Sequence, residues 1–345
     1  MMTTFSAMRE VSFWWAVASR AREWTCGFRQ RLARRCVAAS GLAWGRAAAS
    51  RAIIGGAVVL GALGLSGCSA LRVAYNTGPQ LAWWWLDGYL DVSRDHAPQV
   101  KGAIERWFEW HRQTQLPVYT ALLASAQAQM AEPLTPAAAC QWSQRLSDAL
   151  SPAAARALEQ AADLVPGLAE AQLRHLEQRY EKNLDEMRRE FLQPEAAERR
   201  AASVKRAIDR AEQIYGRLEE PQRKVIAEGV AASPFDPQGW AEERKRRQAD
   251  TVSTLRRMLT ERADRDRRLA ALRALAERSQ RSPDPAYRAY QQRLTDYNCA
   301  FAARIHNATT PAQRQRARAT LKGWEDDLRA VMAGAPAGDP AAASN

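Results

Sequence analysis

From about residue 79 onward, apolar side chains recur every three or four positions. Leu173, Leu176, Tyr180, Leu184, Met187 and Phe191 step by 3, 4, 4, 3 and 4, which lines one face of a helix. Val204, Ile208, Ala211, Ile214 and Leu218 repeat the pattern, as do Tyr287, Tyr290, Leu294, Tyr297, Phe301 and Ile305. Val252, Leu255, Leu259, Leu269, Leu272 and Leu275 read as the seam of one further helix. A short first helix is expected from about Pro79 to Leu90. A long one follows from about Ala97 to Met130, seamed by Val100, Ile104, Trp107, Phe108, His111, Tyr119 and Leu122, with Pro117 as its kink or split. The last helix is expected from Pro311 to about Met332. Sustained apolar–polar alternation is missing after residue 67, so no strands are expected. The pattern predicts an all-α fold, an elongated antiparallel helical bundle. Because seams recur throughout, residues 79–332 read as one continuous domain.

Proline supplies the punctuation. Thr135-Pro136, Ser151-Pro152, Glu220-Pro221 and Thr310-Pro311 each set proline after a polar residue. Proline suits the first turn, where its missing N–H costs nothing, and a preceding Ser or Thr can cap free amides. Four helix starts are therefore expected there. Breaks are expected near Pro166-Gly167, Gln193-Pro194, Ser233 to Gly239 and Ser282 to Pro285. The tail 333–345 is small, polar and Pro/Gly-rich, and is expected to be disordered.

One segment speaks to location. Residues 52–65 (AIIGGAVVLGALGL) carry no charge over fourteen residues, short of the ~20 needed to span ~30 Å of hydrocarbon. The length suits the h-region of a signal peptide, with Arg46 and Arg51 on its basic side. Leu65-Ser66-Gly67-Cys68 follows and resembles the lipobox of bacterial lipoproteins. The small Ser66 and Gly67 fit an extended peptidase site, and the Cys68 thiol can take a diacylglyceryl group. The resemblance implies cleavage before Cys68 and three acyl chains, palmitate among them, on the new N-terminus. Two or more chains anchor stably. Ser69 rather than Asp after the cysteine implies an outer-membrane lipoprotein facing the periplasm. The expected organisation is an N-terminal extension or misassigned start (1–50), a signal peptide (51–67), a lipidated tether (68–78), the helical domain and the tail.

Charge changes the picture little once it is located. The chain has 50 basic and 38 acidic residues, a net of +12. Residues 1–67 hold nine Arg and only Glu10 and Glu23, a net of +7. The remaining 41 basic and 36 acidic residues give +5, which weakens any nucleic-acid reading. The basic runs Arg244-Lys245-Arg246-Arg247 and Arg262 to Arg268 are interspersed with Glu242, Glu243, Asp264 and Asp266. That is the pattern of a solvated helix face; contact with anionic headgroups is the alternative. Of five cysteines, Cys140 and Cys299 alone follow Cys68. In an oxidising compartment they form either a disulfide or two free thiols; sequence does not decide between them.

Trp83-Trp84-Trp85-Leu86-Asp87 is the most unusual local feature. Successive helical residues point about 100° apart, so three tryptophans cannot share one core stripe. The run lies fifteen to seventeen residues after Cys68. Its candidate roles are core packing, contact with the acyl–headgroup boundary, or contact with a partner, with Asp87 and Tyr89 beside it. The lipobox, Arg72-Val73-Ala74-Tyr75-Asn76, the Trp-Trp-Leu-Asp run and Tyr89 together resemble an uncharacterised family of proteobacterial lipoproteins. Thr309-Thr310-Pro311-Ala312-Gln313-Arg314 and Trp324-Glu325-Asp326-Asp327-Leu328-Arg329 are similar as well. The resemblance implies an exported, all-helical lipoprotein and names no catalytic residue.

No nucleophile elbow, P-loop or dinucleotide fingerprint is present. Asp95, His96, Glu105, Glu109 and His111 lack the spacing of a metal site, and His111 reads as a flank of the Trp107/Trp110 cluster. No catalytic residue, metal, cofactor other than the Cys68 lipid, nucleic acid or small-molecule substrate is therefore expected. The expected function is non-enzymatic, a binding or chaperone-like envelope protein held by its lipid, with an envelope protein as its candidate partner. Its Pro221-Gln222-Arg223 and Pro311-Ala312-Gln313-Arg314 helix starts faintly resemble small helical periplasmic chaperones. A structural tether or complex subunit is the alternative, and an envelope hydrolase a more distant one.

Overall fold

A computed structural model describes residues 70–334. The segment read as a signal peptide, Cys68 and the tail from residue 335 lie outside the described residues. Within them the fold is an all-α helical bundle without strands. The helices are α1 (Ala70–Asn76), α2 (Gly78–Leu90), α3 (Ala97–Thr114), α4 (Leu116–Gln129), α5 (Pro136–Leu164), α6 (Glu170–Phe191), α7 (Ala196–Tyr215), α8 (Glu220–Ala231), α9 (Pro237–Thr260), α10 (Arg265–Gln280), α11 (Pro285–Asn307) and α12 (Pro311–Met332).

Local chemistry explains most boundaries. Thr135 and Thr310 cap α5 and α12 through their hydroxyls, which accept from the amides of Ala138 and Gln313. Asp236, Asp264 and Asp284 do the same for α9, α10 and α11. Proline occupies the first turn of α2, α3, α4, α5, α8, α9, α11 and α12. Pro117 parts α3 from α4 at Gln115, since its ring cannot continue the ladder.

Three expectations need correcting. The tether read over 68–78 is helical from Ala70, because Tyr75 and Ala74 are buried in the bundle and Arg72 reaches Asp327 at 3.3 Å. Ser151-Pro152 starts no helix: Pro152 lies inside the continuous α5. Alanines follow it, and packing holds both halves of the helix. Cys140 bonds Cys299 of α11 on one side, while Asp163 pairs with Arg265 at 2.7 Å on the other. The seam from Val252 to Leu275 belongs to two helices, α9 and α10. The chain turns at Arg262, whose φ is 48°, and Asp264 caps the new start with its carboxylate on the Arg267 amide. Both helices line the same core, α9 against α6 and α10 against α5, so the seam looks unbroken in the sequence.

The largest core joins α5, α6, α9 and α10 through Ala162, Leu173, Leu176, Val252, Leu255, Met258 and Leu272. A second joins the two ends of the described chain. Tyr75 of α1, Phe108 of α3 and Leu116 of α4 pack with Leu328 and Val331 of α12. The last helix thus lies along the first ones. Gln127 of α4 adds a 2.7 Å hydrogen bond to the buried Glu325, which Arg329 also holds.

His111 sits inside this second core, 4 % exposed. It stacks on Trp107 with ring centres 4.6 Å apart and shares a 3.0 Å hydrogen bond between Nδ1 and the Tyr75 hydroxyl. Burial lowers its pKa to about 4 and raises that of Tyr75 to about 12, so both are neutral at ordinary pH. The unfolded chain takes up a proton here near pH 6.5, the folded chain only near 4. Stability is therefore lost as pH falls from 6.5 to 4, by about 3 kcal/mol for this group. Urea unfolding of the protein and of His111→Asn across that window should show a slope in the first that is missing from the second.

Candidate functional site

The tryptophan run occupies the middle of α2, and its three side chains part as helical geometry requires. Trp83 is half-buried under the Lys101 ammonium, 4.6 Å from its ring centre. Trp85 leans on Tyr89, 4.6 Å between centres, yet is 48 % exposed. Trp84 is 61 % exposed, the most exposed large apolar side chain among the described residues. Val73 on α1 and Trp324 on α12 are also exposed. The two end motifs meet here, since Arg72 pairs with Asp327 one turn beyond Trp324. The first and last helices therefore carry four exposed apolar groups. Two of them belong to the run that follows Cys68 in the sequence.

Asp87 and Tyr89 differ from Trp84 in kind. The Asp87 carboxylate accepts from the Val92 amide and its carbonyl from the Asp91 amide, which closes α2 where Asp91 turns to φ 47°. The Tyr89 hydroxyl accepts a 2.6 Å bond from Asn183 of α6, and its ring packs on the main core. Both fasten the end of α2 to the bundle. Gln172 and His175 of α6 add contacts to the carbonyls of Asp91 and Gly88. α2 is thus anchored along its C-terminal half, which holds Trp84 and Trp85 in fixed positions.

Cys140 and Cys299 are joined as a disulfide between α5 and α11. The Pro-Gln-Arg helix starts, read as a faint chaperone likeness, have an internal role that the sequence did not disclose. Gln222 and Gln313 are buried and exchange reciprocal amide bonds of 2.6 and 2.9 Å. Each also closes the N-terminus of its own helix, on the amides of Glu219 and Thr310. These side chains are consumed by the fold.

Among the described residues, no three His, Cys, Asp or Glu side chains gather as a metal site. No described helix is long and apolar enough to cross a membrane. A shallow groove of about 630 Å³ runs along α7, lined by Ala197, Ala201, Val204 and Ile208. Its charged rim is spent on itself, with Arg223 on Glu212 and Lys205 on Asp209, both at 2.6 Å. The groove brings together no nucleophile with a base. Of the basic runs, Arg246 and Arg247 are held by Glu243 at 2.8 Å, and Arg268 by the Ala162 carbonyl. Arg244 differs: among the described residues no carboxylate holds it, its Nε is buried, and burial lowers its pKa.

The model of a family of unknown function, DUF6279, matches residues 88–288. That stretch begins at the end of α2 and closes early in α11. It leaves out the Trp run, the Arg72 motif and the α12 motifs. No curated protein and no solved structure matches the chain.

Proposed function

The chain belongs to the DUF6279 family, and on that premise we propose that it is a lipid-anchored, non-enzymatic binding protein of the cell envelope. Lipid on Cys68 holds it at the outer membrane, facing the periplasm. The single observation that carries the reading is the exposure of Trp84 and Trp85 on a firmly held helix just after the lipidation segment. An exposed indole costs less at the acyl–headgroup boundary than in water, having an apolar body and one N–H donor. Short chain distances favour this placement. Cys68 lies two residues before α1, and α2 rises about 1.5 Å per residue, so Trp84 is within reach of the boundary. The disulfide supports export, because such bonds persist in oxidising compartments. The lack of convergent acid–base or nucleophilic groups in the α7 groove favours binding over catalysis.

Fractionation tests the anchor. Cys68→Ala protein should leave the membrane fraction while keeping its helical circular dichroism, since the lipid lies outside the core. Adding Trp84→Ser and Trp85→Ser should remove whatever weak association with vesicles remains. If Cys68→Ala protein stays with membranes at the original level, lipid is not what holds it.

A further inference from the structure

Among the described residues, α7 is the least covered of the long helices. Of its twenty residues only Ala211 is buried, against five of α6 and seven of α12. Its apolar seam enters the core near its C-terminal end, where Ala211 and Tyr215 pack with Ile226 of α8 and Phe301 of α11. Traced back toward the N-terminus, the helix carries Ile208, Val204, Ala201 and Ala197 into the groove of about 630 Å³. Val204 and Ile208 are half-buried there, and Ala197 and Ala201 are exposed. Steps of 4, 3 and 4 from Ala197 to Ile208 are those of a seam between two paired helices. Within the chain, no helix fills this one.

The open face is graded in two ways. From its N-terminal end the seam runs from small to large, Ala197 and Ala201 before Val204 and Ile208. The rim runs from positive to negative, Arg200 and Lys205 before Asp209 and Glu212. A parallel helix of the same sequence would set large on large and like charge on like. An antiparallel one sets Ile208 against Ala201 and Arg200 against Asp209, twice over, about an axis between Val204 and Lys205. A surface that complements itself when turned end for end is what a two-fold contact requires. The rim pairs Lys205–Asp209 and Arg223–Glu212, both at 2.6 Å, do not block it. Exposed pairs contribute little, so their carboxylates can be shared at small cost. Arg200 belongs to neither pair and is exposed.

We propose that the α7 groove is an interface between two copies of this chain, with their α7 helices antiparallel about that axis. The interface stands whether or not Cys68 is lipidated. At 1.5 Å per residue, the face from Ala197 to Glu212 is roughly 22 Å long. Two such faces make a contact at the small end of stable interfaces, so the dimer is reversible and forms with rising concentration.

Sedimentation of the full chain in detergent tests this. The protein mass should rise from one copy toward two with concentration. Ala201→Arg puts a bulky charge into the seam at an exposed position. It should weaken association by on the order of a hundredfold and leave the thermal midpoint of the single copy unchanged. Arg200→Asp should weaken association by about tenfold, and adding Asp209→Arg should restore it, because the reversed charges meet across the axis. In membranes, Lys205→Cys, beside the axis, should be joined to its own copy by a short bis-maleimide, whereas the exposed Lys182→Cys on α6 should not. One copy at every concentration, or equal joining of both cysteine variants, would overturn the proposal. So would a Lys205→Cys product that contains a different protein and no second copy.

Discussion

Replacing Cys140 and Cys299 together by Ser lowers stability by about 4–5 kcal/mol, the largest single loss expected of any change in the described residues. The two cysteines are 159 positions apart. Closing so long a loop in the unfolded chain removes about 5 kcal/mol of chain entropy in the loop-closure account. The variant still folds, because the same junction is bolted by polar contacts. Asn307 binds both the amide and the carbonyl of Leu134, and His306 Nε2 meets the Glu132 carbonyl at 2.9 Å. The thermal midpoint should fall by on the order of 10 °C. A reducing agent should lower the midpoint of the original protein to that of the double variant and leave the variant unmoved. An unchanged midpoint in reductant would mean that the bond does not form.

Gln222→Ala should cost about 2–4 kcal/mol, the next largest effect. Gln222 makes four hydrogen bonds from a buried position: to the Glu219 amide, to the Ala308 carbonyl and twice to Gln313. Truncation removes the cap of α8 and takes two of the four bonds of the Gln313 amide. Gln313 keeps only the Arg217 carbonyl and its own cap at Thr310. Removing both glutamines should cost much less than the sum of the single changes, with a coupling of about 1–3 kcal/mol. Strictly additive losses in urea unfolding would show that the two side chains do not act as a pair.

Those glutamines also show how far the sequence can be read. The capping chemistry of Thr310-Pro311-Ala312-Gln313 was legible, and α12 runs from Pro311 to Met332 as its pattern predicts. That Gln313 meets Gln222 was not, because the pairing depends on how two distant helices dock. The same limit explains the corrected elements. The turn at Arg262 has no Gly or Pro and hides inside a charged run, with Asp264 its only cue. Pro152 carries the usual sign of a helix start, yet packing on both sides of α5 outweighs one lost backbone bond. α1 has too few residues to show a period, and it is stabilised by Tyr75 reaching the α12 core.

The candidate site was legible to a similar depth. Helical geometry required at least one tryptophan of the run to leave the core, and Trp84 is the most exposed of the three. The roles of Asp87 and Tyr89 needed the neighbouring helices to be seen. So did the burial of the Arg244 Nε, since Glu243 pairs with Arg246 and Arg247, two and three positions further on, and not with Arg244. Spacing alone made that run look like one solvated face.

Lipid on Cys68, as proposed, would hold this bundle at a membrane. Intact mass spectrometry of the membrane-extracted protein tests it most directly. The expected mass equals residues 68–345 with one disulfide and three acyl chains. A mass that retains residues 1–67, or a chain beginning at Cys68 without lipid, would contradict it.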